Sequence, residues 1–269
     1  MHKYLVVSDL DDTLLTKKKT IRNKTVRFVK KFVKKGNYFV ICTGRPFAGA
    51  INFYKRLGVN MPLITDNGSA IYFHENDQFI LKPFGIELNR FKKFLQEIDD
   101  TILAAISTRD NIITIQNRKM VPDWIIHDEI EGVVIKEGKL YNLLETDPLL
   151  PNLWIKPEGI EKFNTVIQKY ADIISYRNWG LHDDRYSLEL FSCDASKGKA
   201  MNYLANLYDV SATISFGDQW NDISMIEAAT YGVAMKNAIP LLKQGRKYIT
   251  RKDCNHNGVI DFLKKHKLY

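Results

Sequence analysis

The chain has 269 residues, 45% of them apolar and 26% charged, with 39 basic against 31 acidic side chains and a formal net charge of +8. That composition excludes a disordered or fibrous chain, and the length admits a core domain carrying a second, smaller one. Three cysteines without CxxC spacing exclude a disulfide framework or a cysteine-built zinc site, and no apolar run approaches the ~20 residues that span a bilayer, so a cytoplasmic protein without a membrane partner is expected.

Tyr4 to Ser8 is a short β-branched run ending in acidic residues, as a buried parallel strand would. A helix follows near Arg22 to Lys35, with Val26, Val29 and Val33 at helical spacing, Phe28 and Phe32 beside them, and Gly36 where a C-cap belongs. Tyr38 to Cys42 is a second strand, ending at Thr43-Gly44-Arg45, and this βαβ start implies a parallel sheet. From about Pro83 the pattern changes: a helix (Glu87 to Ile98), strand-like runs (Ile102 to Ser107, Ile112 to Ile115), a loop-rich stretch with Pro148 and Pro151, a helix (Glu158 to Tyr170) and a strand (Asp172 to Tyr176). Strands clustered beside helices suggest an α+β insert. Its joins are expected near Lys82-Pro83 and His182 to Asp184. The alternation then returns: Ser196 caps a helix from Lys197 to Tyr208 with Met201, Leu204 and Leu207 on one face, Thr213 to Phe216 is a strand, Asp222 to Ala229 a helix, and Gly232 to Met235 a strand. The fold class is therefore α/β: a Rossmann-like core with a central parallel sheet over residues 1–82 and 186–269, and an inserted α+β cap over 83–185.

Three strand ends carry polar residues: Asp9-Leu10-Asp11-Asp12-Thr13, Thr43-Gly44-Arg45, and Gly217-Asp218-Gln219-Trp220-Asn221-Asp222. Ligands of open parallel sheets bind beyond the carboxyl ends of the strands, so these loops can share one crevice. Gathered there, Asp9, Asp11, Asp218 and Asp222 repel one another unless a cation compensates, and an all-oxygen set suits Mg²⁺. A carboxylate becomes a covalent nucleophile toward phosphate when a metal and a cationic side chain neutralise the incoming group. Lys197, beside a helix start, is the candidate cation; Thr43 and Gly44 add a hydroxyl and backbone N–H groups, and Asp11 can protonate a leaving alcohol and then activate water.

In these residues the chain resembles the haloacid dehalogenase superfamily, specifically its Cof-type phosphatases with a large α/β cap (subclass IIB). The motifs occur in order as Asp9-Leu-Asp11-Asp-Thr13, Thr43-Gly-Arg45, Ser-Lys197-Gly and Gly217-Asp218-Gln-Trp-Asn221-Asp222; Asp66-Asn67-Gly68 and the segment from Gly232 through Asn237 also match. The resemblance implies that Asp9 is nucleophile and metal ligand, that Asp11 is acid/base and offers its carbonyl to the metal, and that Asp218 is a further ligand supported by Asp222. It implies that Leu10 (backbone), Thr43, Gly44, Lys197 and Asn221 hold the phosphate. Asp12 departs from the pattern, standing where the family usually has glycine.

The expected reaction is Mg²⁺-dependent hydrolysis of a small phosphorylated metabolite, such as a sugar phosphate, pyridoxal phosphate or a nucleotide, by a monomer or weak homodimer. The cap is expected to close over the substrate. The alternatives are a phosphoryl-transferring sugar phosphomutase and a non-catalytic binder of anions or nucleic acid. Against the latter, the lysine pairs are scattered over separate segments with no nucleic-acid-binding motif. Trp124, Trp154 and Trp179 of the cap, with Arg177 and His182 nearby in sequence, could wall a substrate pocket, but the tryptophans are read as packing residues first, and His74 and His127 carry no partner pattern.

Overall fold

The computed structural model of the protein describes residues 3–59, 61–126 and 132–268. His127 and the side chain of Trp124 lie outside the described residues. The chain divides into two compact units, one of Met1–Arg45, Ala50–Lys82 and Ser196–Tyr269, the other of Pro46–Gly49 and Pro83–Ala195.

The chain runs through β1 (Tyr4–Ser8), α1 (Asn23–Lys34), β2 (Tyr38–Ile41), α2 (Phe47–Leu57), β3 (Leu63–Thr65), β4 (Ala70–Glu75) and β5 (Gln78–Pro83). It continues through α3 (Leu88–Glu97), β6 (Ile102–Arg109), β7 (Ile112–Gln116), β8 (Val134–Glu137), α4 (Leu140–Leu143), β9 (Asn152–Ile155), α5 (Ile160–Ile167), β10 (Ile174–His182) and β11 (Arg185–Ser192). It closes with α6 (Lys197–Leu207), β12 (Ala212–Gly217), α7 (Ile223–Ala228), β13 (Tyr231–Ala234), α8 (Pro240–Lys243), β14 (Tyr248–Ile249) and α9 (Gly258–Lys265).

In the first unit a five-stranded parallel sheet has the order β14-β13-β12-β1-β2. Leu5, Val6 and Val7 of β1 are fully buried, which is why this strand is a continuous apolar run rather than an alternating one. A Cys42–Ile64 bridge extends the parallel arrangement toward β3, which opens a separate sheet of order β3-β4-β5. Helix α1 buries Thr25, Val29 and Phe32, an i, i+4, i+7 stripe. Helix α6 buries Met201 and Leu204, but Leu207, expected on the same face, is 52% exposed because the helix ends there.

The second unit holds a six-stranded sheet of order β10-β11-β9-β6-β7-β8, antiparallel except for the β7–β8 pair. Phe91 and Phe94 of α3 and Phe163 of α5 pack with Leu153, Leu188 and Leu190 of the strands. Ile106, Ile113, Ile115 and Trp154 form a second cluster with Val121 and Ile126. The unit does not end at 185: β11 pairs with both β10 and β9, its leucines sit in the core, and the unit runs on to Ala195. No helix among the described residues is long and apolar enough to cross a membrane.

Candidate active site

Parallel register brings the candidate residues to one end of the sheet. Ser8 of β1 is level with Phe216 of β12 and Ile41 of β2, so Asp9, Asp218 and Thr43 all emerge within two residues of that line. From β1 the chain continues to one side of the sheet and from β12 to the other, and a crevice opens at such a switch point.

After β1 the chain makes one wide turn, Leu15 N–H donating to Leu10 O at 2.8 Å, with Asp12 at φ 53°. Aspartate tolerates this left-handed conformation better than most side chains, which reconciles Asp12 with a position where glycine is usual. The Asp12 carbonyl accepts Asn237 Nδ2 at 2.7 Å, and its carboxylate lies 3.7 Å from Lys19. The turn also aims Thr13, whose hydroxyl donates to Asp218 Oδ1 at 2.8 Å.

Lys197, the first residue of α6 and 1% exposed, donates from Nζ to Asp9 Oδ1 and to Asp222 Oδ1, both at 2.7 Å. The other Asp222 oxygen accepts the N–H groups of Asp218 at 2.8 Å and Gln219 at 3.0 Å, so this carboxylate braces the loop after β12 while it anchors the lysine. Gly217 makes room for it: a Cβ there would sit 2.3 Å from Asp222 Cβ. Burial pushes the Asp9 carboxyl well above its ordinary value, with Lys197 opposing. Burial likewise pushes Asp218 up to about 7 against the Thr13 hydrogen bond. Burial alone would lower the lysine, but the Asp222 and Asp9 carboxylates hold it above its ordinary value.

Asp9, Asp218 and Asp222 each offer an oxygen, all within 4.8 Å of one another. Three buried carboxylates around one ammonium leave negative charge in excess, and an oxygen-only donor set of this kind fits a hard divalent cation. Asp11 stands apart from that trio. Its carboxylate is held in two-point fashion by Arg45, Nε to Oδ2 at 2.7 Å and Nη2 to Oδ1 at 2.8 Å, and by Lys19 at 2.9 Å. Burial pushes Asp11 up, yet hydrogen bonds from Arg45 and Lys19 outweigh it and hold the carboxyl at about 2.

Thr43 is buried, its hydroxyl accepting Arg45 N–H at 3.1 Å and its carbonyl accepting Asn67 N–H at 3.1 Å. Asn67 Oδ1 accepts Asn221 Nδ2 at 2.8 Å and would lie 2.9 Å from a Cβ on Gly44, so Thr43, Gly44 and Asn221 meet through Asn67. Leu10 is fully buried, and its carbonyl accepts Leu15 N–H.

No local pattern in the sequence points to roles for Arg45, Lys19, Thr13, Asn67 or Asn237. Arg45 and Asn67 lie inside the motifs, but nothing local says that the guanidinium turns back to Asp11, and Lys19 is one of three consecutive lysines. Trp154 is buried under Arg185, 5.9 Å from its ring, whereas Trp179 is 46% exposed with Arg177 5.1 Å from it. His182 Nε2 lies 3.1 Å from the Trp179 carbonyl, and His74 stacks on Phe79 at 4.7 Å.

A family model described as haloacid dehalogenase-like hydrolase matches residues 6–263. The chain belongs to that family. It is 26% identical over 275 residues to the 5-amino-6-(5-phospho-D-ribitylamino)uracil phosphatase YitU of Bacillus subtilis, covering 98% of this chain and 97% of that one. It is also 26% identical over 284 residues to the pyridoxal phosphate phosphatase YbhA of Escherichia coli, covering 97% and 98%. The crystal structure of TM0651 from Thermotoga maritima superposes with a TM-score of 0.81 at 25% identity, covering 98% of this chain and 97% of that chain. With the family shown and these relatives named for phosphate removal, this haloacid dehalogenase-like hydrolase is a phosphatase.

Proposed function

We propose that the protein hydrolyses the phosphate monoester of a small metabolite in two steps, with Asp9 as the nucleophile. The observation that carries this reading is the buried Lys197 ammonium, 2.7 Å from both Asp9 and Asp222, in a pocket that also holds Asp218. Lys197 orients Asp9 through Oδ1 and supplies positive charge to the incoming phosphoryl group. Thr43, the Gly44 peptide, the Leu10 peptide and Asn221 donate hydrogen bonds to its oxygens. Attack by Asp9 forms the O–P bond of an acyl-phosphate while the ester O–P bond breaks, and the departing alkoxide takes a proton from Asp11. Water then attacks phosphorus, giving its proton to Asp11, and Asp9 is released with inorganic phosphate.

Asp9 and Asp218, with the Asp11 carbonyl, would hold Mg²⁺, while Asp222 keeps the lysine and the loop in place. Bound there, the cation would neutralise charge on the phosphoryl oxygens. Arg45 keeps Asp11 ionised in the conformation described here, so Asp11 can act as the proton donor only once that two-point contact opens.

The two relatives named above act on a phosphoribitylamino uracil and on pyridoxal phosphate, and at 26% identity neither substrate passes to this chain by likeness alone. Both names describe a phosphate on a small molecule bearing a nitrogen-containing ring. The test is release of inorganic phosphate over a panel of sugar phosphates, pyridoxal phosphate, nucleotides and flavin mononucleotide, with and without Mg²⁺, by wild type and Asp9→Asn. Turnover requiring both Mg²⁺ and Asp9 is expected; magnesium-independent turnover or an active Asp9→Asn protein would overturn the proposal.

A further inference from the structure

A second concentration of charge in the first unit has no part in the chemistry above. A cavity of about 370 Å³ is lined by Arg22, Lys24, Lys236, Arg251 and Lys252, with His256, against a single lining carboxylate, Asp253. The cations come from three separate stretches of chain: the start of α1, the loop after β13 and the loop before α9. Part of the charge is already matched. Arg251 and Lys252 share Asp261, at 3.0 Å and 3.2 Å, and His256 holds Asp253 at 2.6 Å. Arg22 and Lys24 make no ion pair among the described residues.

Arg22 and Lys24 also sit where a cation is least welcome. They flank the N-terminus of the 12-residue α1, which has no side-chain cap hydrogen bond and no acidic residue in its first turn. The helix dipole makes that end positive, so cations there are unfavourable unless an anion lies among them. Helix α9 begins on the same cavity at Asn257, again without a side-chain cap hydrogen bond, and Asn257 Oδ1 is tied to α1 through Thr25 Oγ1 at 3.1 Å. Repulsion among five cations is tolerated most easily when a multiply charged anion spans them.

We propose that this cavity binds an oligophosphate group, a run of two or more linked phosphates, at a site separate from the phosphoryl-transfer centre. None of Asp9, Asp11, Lys197, Asp218 or Asp222 lines it. Its walls contain no aromatic ring other than the His256 imidazole, so recognition falls on the phosphates rather than on a base. A space of about 370 Å³ lined by five cations offers room and charge for more than one phosphate. The loops that line the cavity are also hydrogen-bonded to the turn after β1 and the chain that follows it. Asn237, next to Lys236, donates to the Asp12 carbonyl at 2.7 Å and accepts Cys254 N–H at 3.1 Å, and Lys17 N–H donates to Asn255 Oδ1 at 3.0 Å. A ligand joining these loops braces the turn that carries Asp11 and Thr13.

The test is isothermal titration of the full-length protein with inorganic triphosphate, without added divalent cation, comparing wild type, Asp9→Asn and the double variant Arg22→Glu/Lys24→Glu. Saturable 1:1 binding is expected in wild type and Asp9→Asn alike, weakened roughly ten-fold or more in the double variant, whose phosphatase activity stays intact. Orthophosphate should bind far more weakly. Adenosine triphosphate binding no better than inorganic triphosphate identifies a free oligophosphate as the ligand, and tighter adenosine triphosphate binding identifies a nucleotide's phosphate chain. Loss of triphosphate binding in Asp9→Asn, or its persistence in the double variant, would overturn the proposal. So would binding of a single-stranded oligonucleotide in preference to triphosphate, which would make the patch a nucleic-acid surface.

Discussion

Lys197 is fully enclosed between two carboxylates, and that enclosure has consequences that can be measured. Replacing it by methionine leaves Asp9 and Asp222 facing each other in a buried site, and breaking a buried ion pair in this way costs about 3–5 kcal/mol. Urea unfolding of Lys197→Met should show that loss, and phosphatase turnover should fall by about 10²-fold or more; unchanged stability would mean that the triad contributes nothing. Asp218 gives a second prediction at this scale. Its carboxyl, pushed up to about 7 from an ordinary 3.8, holds a proton in the folded protein that the unfolded chain releases. Stability of the metal-free protein therefore falls as pH rises through that window and levels off above it. A divalent cation that displaces the proton removes the cost, so the thermal shift from added Mg²⁺ should be larger at about pH 8 than at about pH 5. Equal shifts at the two values would separate Asp218 from the metal.

At the scale of elements, the ends of β1 and β12 matter more than their bodies. Gly217→Ala places a methyl group 2.3 Å from Asp222 Cβ, so the brace after β12 must move. Activity is expected to drop more than stability, which should fall by about 1–3 kcal/mol; a fully active variant would show that the loop adapts. The turn after β1 behaves differently. Asp12→Gly removes a left-handed aspartate and one contact to Lys19, two small opposing effects, so the unfolding free energy should stay within about 0.5 kcal/mol of wild type. These termini explain what was and was not readable in the chain. Buried strands such as Leu5 to Val7 announce themselves as apolar runs, and α1 by its periodicity. Helix α2 and strands β3 to β5 did not, because Phe47–Leu57 is partly buried around much of its surface and the half-buried β5 lacks a clean alternation.

At the scale of the molecule, the parallel-sheet unit and the inserted unit each bury apolar side chains of their own. Phe163→Ala leaves a void among Phe94, Leu153 and Leu188 of the inserted unit and should cost about 3–5 kcal/mol there. In calorimetry it should lower the transition belonging to that unit, while the Mg²⁺-dependent shift persists in the other. Loss of the Mg²⁺ shift in this variant would show that the two units do not unfold as separate bodies. The α/β class and the family were set by the sequence itself, since buried parallel strands must be apolar and strand-end loops must carry the polar chemistry. The pairing of Arg45 with Asp11, the brace from Asp222, the continuation of the inserted unit through β11 and the gathering of cations beside α1 and α9 were decided only in three dimensions. Each depends on side chains distant in the chain meeting across loops, and such meetings are governed by packing and charge balance over the whole unit, not by any local pattern.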